Sequence, residues 1–328
     1  MSRITRRATL AGLLATPMLA QAQGSDWRPN QPIRLVVPAA PGGTADISAR
    51  LLAPFLQSHF GQNCVVENRS GAGGVIGTAE VVRAAPDGQT LLLGNIGPQA
   101  IGLSLYRSLP YGRDALLPVS GTVRGPNVLV VRKGIPAQSV AELVAYLKAN
   151  PGKLSFGSPG VGQSPHLTGV WFNQATKTEA IHVPFRGAGP AMMELVAGNI
   201  DYMWDNLTSG IQQVRDGSVR ALAVSSADRN PQLPDVPAAR ETIPGLAQFD
   251  VNTWFGIFLP AATPRPVAQS LNSAMKTWQE TEEVKARWRQ MGGTSLHGSL
   301  EEFAAFVRAE GEKWGNVIRK EGLQMDLG

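Results

Sequence analysis

Short apolar, β-branched runs alternate along the chain with longer stretches whose apolar residues recur every three or four positions. The runs at 33–37, 64–67, 91–93, 128–131, 154–156, 180–183, 202–204, 221–225 and 253–259 predict strands, each bounded by Gly, Pro or Asn. The clearest helix spans 139–147. Ser139 and Glu142 form an S-x-x-E capping signal, Val140, Leu143, Val144 and Leu147 make one apolar stripe, and Asn150-Pro151 stops it. Ser299 and Glu302 open a second such helix, whose face carries Phe303, Phe306, Val307, Trp314, Val317 and Ile318. Pro54 falls inside a helical run and predicts a kink or an early stop. The stretch 111–118 reads as a connecting loop. Alternation of this kind predicts α/β architecture with a mostly parallel sheet.

One unit, a strand followed by a Gly-rich loop and a helix, occurs twice. The first runs from Leu35-Val36-Val37-Pro38 through Pro41-Gly42-Gly43-Thr44-Ala45-Asp46 into a helix from about Ile47. The second runs from Leu154-Ser155-Phe156-Gly157 through Ser158-Pro159-Gly160-Val161-Gly162-Gln163-Ser164 into a helix from about Pro165. The first turn of a helix offers N–H groups without intrahelical partners, and the helix dipole adds about half a positive charge there. Such an end binds carboxylate or phosphate without Lys or Arg. The alternative is that these glycines only make tight βα turns. Neither loop is a nucleotide fingerprint. Pro165 follows Gly160 and Gly162 where GxGxxG needs Gly, Ile76 takes the third glycine place after Gly71 and Gly73, and there is no Walker A motif.

Length and charge narrow the classes. The 328 residues suit about two domains. The hydrophobic share of 43% is ample for a core, and 36 Gly with 24 Pro argue against a helical bundle. The net charge of +5 includes Arg3, Arg6 and Arg7, which precede the first acid, Asp26, so nucleic-acid binding loses its compositional support. Those arginines, the apolar stretch 8–19 and Ala20-Gln21-Ala22 read as an export signal cleaved near Ala22, by the general secretory route rather than twin-arginine export. The apolar stretch is shorter than the ~20 residues of a spanning helix. Cys64 is alone, so it makes no internal disulfide or CxxC zinc site and reads as a buried strand thiol.

Other residues have competing readings. His59, His166, His182 and His297 are far apart in sequence and give no metal motif. Ser164 and His166 are close enough for a secreted serine hydrolase, but the G-x-S-x-G elbow is missing. Asp46 is a ligand contact or, more commonly at such a place, the N-cap of the first helix. Asp205-Asn206 follows a strand end, where open α/β sheets bind ligands. Trp171, Trp204 and Trp254 read as core.

Taken in order, the motifs resemble the Bug family, the TctC-like extracytoplasmic receptors of tripartite tricarboxylate transporters. The resemblance rests on Val37-Pro38 with Pro41-Gly42-Gly43 and Asp46, Val66-Glu67-Asn68-Arg69 with Gly71-Ala72-Gly73-Gly74, and Pro86-Asp87-Gly88. In the second half it rests on Phe156-Gly157-Ser158, His182-Val183-Pro184-Phe185, Gly189-Pro190-Ala191, Arg220-Ala221-Leu222-Ala223-Val224 and Pro234-Asp235-Val236-Pro237. It implies a periplasmic, monomeric, two-lobed binding protein of type II-like form, without cofactor, metal or catalytic residue. Each lobe would be a mixed, mostly parallel sheet flanked by helices, with residues 26–127 and 251–328 in one and 128–250 in the other. A small carboxylate would sit between the lobes and pass to the small and large integral-membrane components of a transporter, or be presented to a sensor kinase. Carried over position by position, the first lobe offers Ala39, Gly42, Gly43, Thr44, Ala45, Asp46 and Asn95. The second offers Ser158, Gly162, Gln163, Ser164, Pro165, His166, Phe185 and Asp205. Many relatives carry an aromatic residue where this chain has Ala39, which leaves room for a different acid.

Overall fold

The computed structural model describes residues 27–327, so the export-signal reading lies outside the described residues. The first lobe is built on β1 (Ile33–Val37), β2 (Cys64–Asn68) and β3 (Thr90–Asn95), all parallel, with β1 in the middle. Helix α1 (Thr44–Phe60) connects β1 to β2, and α2 (Val75–Val82) connects β2 to β3. In α1 the residues Ala45, Ala49, Leu52, Leu56 and Phe60 form one buried stripe, and Gly61, in the left-handed region at φ 71°, ends the helix. The helix runs through Pro54 to Phe60, so Pro54 does not shorten it.

After the short α3 (Gly102–Leu105) comes β4 (Leu116–Val131), which joins the lobes. Residues 116–126 of this strand pair antiparallel with β9 (Asn252–Pro260), itself antiparallel to β3. From Asn127 onward β4 pairs instead with β7 (Tyr202–Asn206) and β8 (Arg220–Val224). The first half of β4 is a strand, although in sequence 116–118 reads as a loop and 119–127 carries no assigned element. Pro118, Gly121, Gly125 and Pro126 hide its pattern, and register shifts near Pro118 and Gly121 accommodate the irregular residues.

The second lobe places β5 (Ser155–Ser158) parallel between β7 and β6 (Ile181–Pro184). Helices α4 (Val140–Ala149), α5 (Ser164–Thr176), α6 (Ala188–Ala197) and α7 (Leu207–Arg215) flank that sheet. The chain returns through β9 and finishes the first lobe with α8 (Arg265–Glu280), α9 (Glu282–Gln290), β10 (Thr294–Ser295) and α10 (Leu300–Lys320).

The capping boxes divide. In α10 both Ser299 and Glu302 bond the opposing backbone N–H. In α4 the Ser139 hydroxyl caps Glu142 N, while the Glu142 carboxylate reaches Gln138 N instead of Ser139 N. Trp204 and Trp254 are core residues, fully buried, and Trp171 lies half-buried against Phe249. Each fully buried large apolar side chain contributes about 1.5–3 kcal/mol relative to leaving it exposed. Cys64 is half-buried, and burial pushes its thiol up to about 12.

Candidate functional site

The carboxyl ends of the parallel strands in the two lobes face each other, so the loops that follow them meet. Between them lies a cavity of about 60 Å³. A single water needs roughly 10–15 Å³ by comparison, so the space holds a few waters or a short organic skeleton.

The helices that start at this cavity share one property. Gly43 begins α1, Gly74 begins α2, Gln163 begins α5, Gly187 begins α6 and Asn206 begins α7, and none of these ends has a side-chain cap. Gly43, Gly74, Gln163 and Asn206 line the cavity themselves, as does Ala188 in the first turn of α6. Away from it, α4, α9 and α10 are capped by Ser139, Thr281 and Ser299, while α8 starts at Pro264 without a side-chain cap. Five uncapped helix ends, from both lobes, are thus gathered at one place, where their dipoles make the potential positive. No Asp or Glu lines the cavity among the described residues.

Two amides add polar groups. Asn95 uses its Oδ1 to accept from Gly97 N, and no partner for its Nδ2 is found among the described residues. The carboxamide of Asn206 is buried and its Oδ1 has no partner among the described residues. An unpaired buried amide beside a cavity is costly unless something fills the cavity.

The lobes touch around this space. Ala40 N donates to the Arg186 carbonyl at 2.9 Å, Gln163 Nε2 to the Gly73 carbonyl at 2.6 Å, and Tyr106 OH to the Val161 carbonyl at 2.9 Å. The hydroxyls of Thr44 and Thr208 are 2.6 Å apart. Gly42, Gly73 and Gly189 allow close backbone approach, Gly73 to the Val161 carbonyl most closely. A Cβ on Gly189 would lie 2.5 Å from the Pro41 carbonyl oxygen.

Of the residues singled out from sequence, Ala39, Gly43, Thr44, Ala45, Asn95, Gln163 and Phe185 line the cavity. The others are placed around it. Gly42 and Asp205 face a separate groove beside α6. Asp46 is not the N-cap of α1; that position is Gly43. Instead its carboxylate reaches back to Gly42 N at 3.1 Å and also accepts from Arg50 Nε and Asn68 Nδ2. Burial pushes this carboxyl up, but the bonds from Arg50, Gly42 and Asn68 outweigh it and hold the pKa below the usual range. Asp46 thus shapes the first loop from behind.

Ser158 bonds His182 Nε2 at 2.7 Å and accepts from Gly160 N. Gly162, at φ 78°, donates to His166 Nδ1 at 3.3 Å. The ring of His166 packs on that of His182 with centroids 4.2 Å apart, so two histidines far apart in sequence form one buried pair. Burial lowers the His166 pKa to about 3, with help from His182, and lowers that of His182 to about 4; both are neutral near pH 7. Pro165 is buried in the first turn of α5. Ser164 is fully buried and accepts from Asn127 Nδ2 at 2.9 Å, so its hydroxyl engages Asn127 and not His166. The Ser164–His166 nucleophile is not assembled.

Sequence reasoning left Gly71, Ala72, Gly73, Gly74, Asn206 and Phe255 out of the site, though all line the cavity. The run Gly71-Ala72-Gly73-Gly74 entered only as a failed nucleotide motif and as part of the family resemblance. Its positive φ values at Gly71, Gly73 and Gly74 are the signal that could have placed it at a close approach.

Two lobes with uncapped helix ends facing one small cavity define a periplasmic binding protein. The comparisons agree. The sequence model described as "Tripartite tricarboxylate transporter family receptor" matches residues 48–323, and the chain belongs to that family. It is 39% identical over 321 residues to the "UPF0065 protein in tcbD-tcbE intergenic region" of a Pseudomonas strain, covering 97% of this chain and 95% of the relative. It is 34% identical over 325 residues to "Protein BugT" of Bordetella pertussis, covering 98% and 99%.

Among solved structures, the periplasmic binding protein BugD has a TM-score of 0.86 at 34% identity, over 90% of this chain and 99% of that one. A protein of R. palustris solved with adipate gives 0.86 at 33% identity, covering 90% and 99%. MatC from Rhodopseudomonas palustris, with bound malate, gives 0.84 at 32% identity, covering 88% and 99%. These neighbours are solute-binding proteins, and this chain is a solute-binding receptor and not an enzyme. No helix among the described residues is long and apolar enough to cross a membrane.

Proposed function

We propose that this receptor captures a small organic carboxylate between its two Gly-rich loops and delivers it, as an exported monomer, to the integral-membrane subunits of a tripartite tricarboxylate-type transporter. The observation that carries this reading is the convergence of uncapped helix N-termini from both lobes on a cavity that no acid lines among the described residues. The adipate and malate held by two neighbours of similar fold support the same class of ligand.

The arrangement supplies a mechanism. Each lobe presents positive helix ends, about half a charge apiece, so closing the lobes brings like charge together. An anion between them reverses the sign of that interaction. The closed form then binds ligand far better than the open form, which is the condition for a ligand to shift the population toward closure. The hinge in this reading lies where the chain crosses near Val128 and returns near Val251, giving lobes of 26–127 with 251–328, and of 128–250.

The test is a thermal-shift panel of small carboxylates, followed by calorimetry, on protein refolded to strip any carried ligand. A ligand at 100 times its Kd stabilises by roughly 2.7 kcal/mol, on the order of several degrees for a chain this size. A shift confined to one acid or one homologous series is the expected result. A flat panel from protein shown to have refolded would overturn the carboxylate reading.

A further inference from the structure

We propose that Arg186 is a specificity-determining residue that takes the second carboxylate of the ligand, so that the site prefers dianions to monoanions of the same size. This rests on the carboxylate reading above and deepens it. Arg186 is the one charged residue lining the cavity among the described residues. It sits between Phe185, which lines the cavity wall, and Gly187, where α6 begins. Its backbone is pinned at the lobe seam, because its carbonyl accepts from Ala40 N. Its side chain is exposed, and no hydrogen bond or ion pair to its guanidinium is found among the described residues. By contrast, Arg34, Arg50, Arg132 and Arg229 are each held by a carboxylate.

In this proposal two different anion partners serve one cavity, with the exposed Arg186 guanidinium turning to the ligand from the rim. The inner one is a set of backbone N–H groups, uncharged in the formal sense and suited to any carboxylate. The outer one is a full positive charge with a planar fork of donors, suited to a bidentate carboxylate. A monocarboxylate satisfies only the inner set and leaves Arg186 beside the positive ends of α1, α6 and α7. A dicarboxylate of fitting length satisfies both. Arg186 thus contributes discrimination by charge and by distance between the two carboxylates, while the inner set contributes the common binding energy.

The experiment pairs straight-chain diacids of three to eight carbons with the monomethyl ester of each, measured by calorimetry on the parent protein, Arg186→Met and Arg186→Lys. The expected result is that the parent binds its best diacid at least tenfold more tightly than the matching monoester. Arg186→Met should lose most of that ratio by weakening the diacid far more than the monoester, and Arg186→Lys should keep part of it. Diacid affinity should also fall more steeply with added salt in the parent than in Arg186→Met. An undiminished diacid preference in Arg186→Met, or an equal loss for both members of a pair, overturns the role of Arg186 and leaves the carboxylate reading standing. Binding of neither diacids nor monoesters overturns both.

Discussion

The backbone N–H of Ala40 donates to the carbonyl of Arg186 at 2.9 Å, a main-chain bond made between residues of different lobes. Side chains are not needed for it, and the residues around it are small: Pro41, Gly42, Ala188 and Gly189. At this point backbone lies against backbone, so in the proposed closure bulk at this seam is what would keep the lobes apart.

Gly189 gives the cleanest test. Its φ is ordinary and it lies in the first turn of α6, but Pro190 follows it, so a Cβ there mildly disfavours helical backbone. A Cβ there also meets the Pro41 carbonyl oxygen at 2.5 Å, across the seam. Gly189→Ala should lower the stability of the unliganded protein only slightly and weaken ligand binding at least tenfold. Solution scattering should show the parent compacting with ligand and the variant failing to do so. Undiminished affinity with normal compaction would show that the seam does not need to shut this tightly.

Tyr106 tests closure by subtraction. Its hydroxyl donates to the Val161 carbonyl at 2.9 Å, from the first lobe to the second Gly-rich loop. Burial raises its pKa to about 12, so it stays a donor at any working pH. Opening the lobes gives this hydroxyl to water, so the bond contributes to closure only its net worth, about 0.5–1.5 kcal/mol. Tyr106→Phe should weaken binding by about two- to tenfold, seen chiefly as faster ligand release in stopped-flow. A change in melting temperature without a change in release rate would assign the bond to the fold alone.

How much of this was legible can be argued from particular residues. The strand at Ile33–Val37 was read to the residue, because a short β-branched run, apolar but for Arg34, lies between Pro32 and Pro38. The start of β4 was missed, because Pro118 and Gly121 break the alternation and their accommodation depends on bulges against β9, a partner more than a hundred residues away. At the site, the two Gly-rich loops were visible as strand–loop–helix units. Which of their residues line the cavity was not, since the loop folds back on itself. Asp46 and Ser164 fall behind the loops, bonded to Gly42 and Asn127, while Gly73 and Asn206 come forward. Local pattern places a loop at a strand end; only the meeting of two lobes decides which side of it faces the ligand.

Ser164 follows from that placement. Asn127 Nδ2 donates to Ser164 Oγ at 2.9 Å and to Thr168 Oγ1 at 2.8 Å, using both of its hydrogens at the residue where β4 leaves β9 for β7. Ser164→Ala would leave one buried N–H unpaired, at a cost of about 1–3 kcal/mol. The melting temperature should fall by several degrees, with ligand affinity at 25 °C changed less than fivefold. A bulky replacement would overpack a fully buried position, so its loss of binding would report damage to the fold. A large affinity loss in Ser164→Ala at unchanged stability would instead put this hydroxyl in direct reach of the ligand.

Asp205 makes a prediction about pH. Burial raises its pKa to about 7, against bonds from the Ser209 hydroxyl and the Asn206 N–H that favour the charged form, and its Oδ1 has no partner among the described residues. The folded state therefore holds a proton that the unfolded state, with a pKa near 3.9, releases earlier. The protein is favoured fully below about pH 4 and loses stability as pH rises to about 7, by on the order of 3–4 kcal/mol. The buried His166–His182 pair acts in the opposite direction over much of the same window: its folded pKa values are lowered, so its contribution is present above about pH 6.5 and is lost as pH falls toward 4. The two slopes mask each other in the parent. They separate in Asp205→Asn, which removes one and keeps the other. The stability of Asp205→Asn minus that of the parent, from urea unfolding at a series of pH values, should rise by a few kcal/mol between pH 4 and pH 8. Partners for the new amide would add only a pH-independent offset, so the slope is the quantity to read. A flat difference would mean that Asp205 is already ionised in the folded protein and that an internal donor or water stabilises its charge.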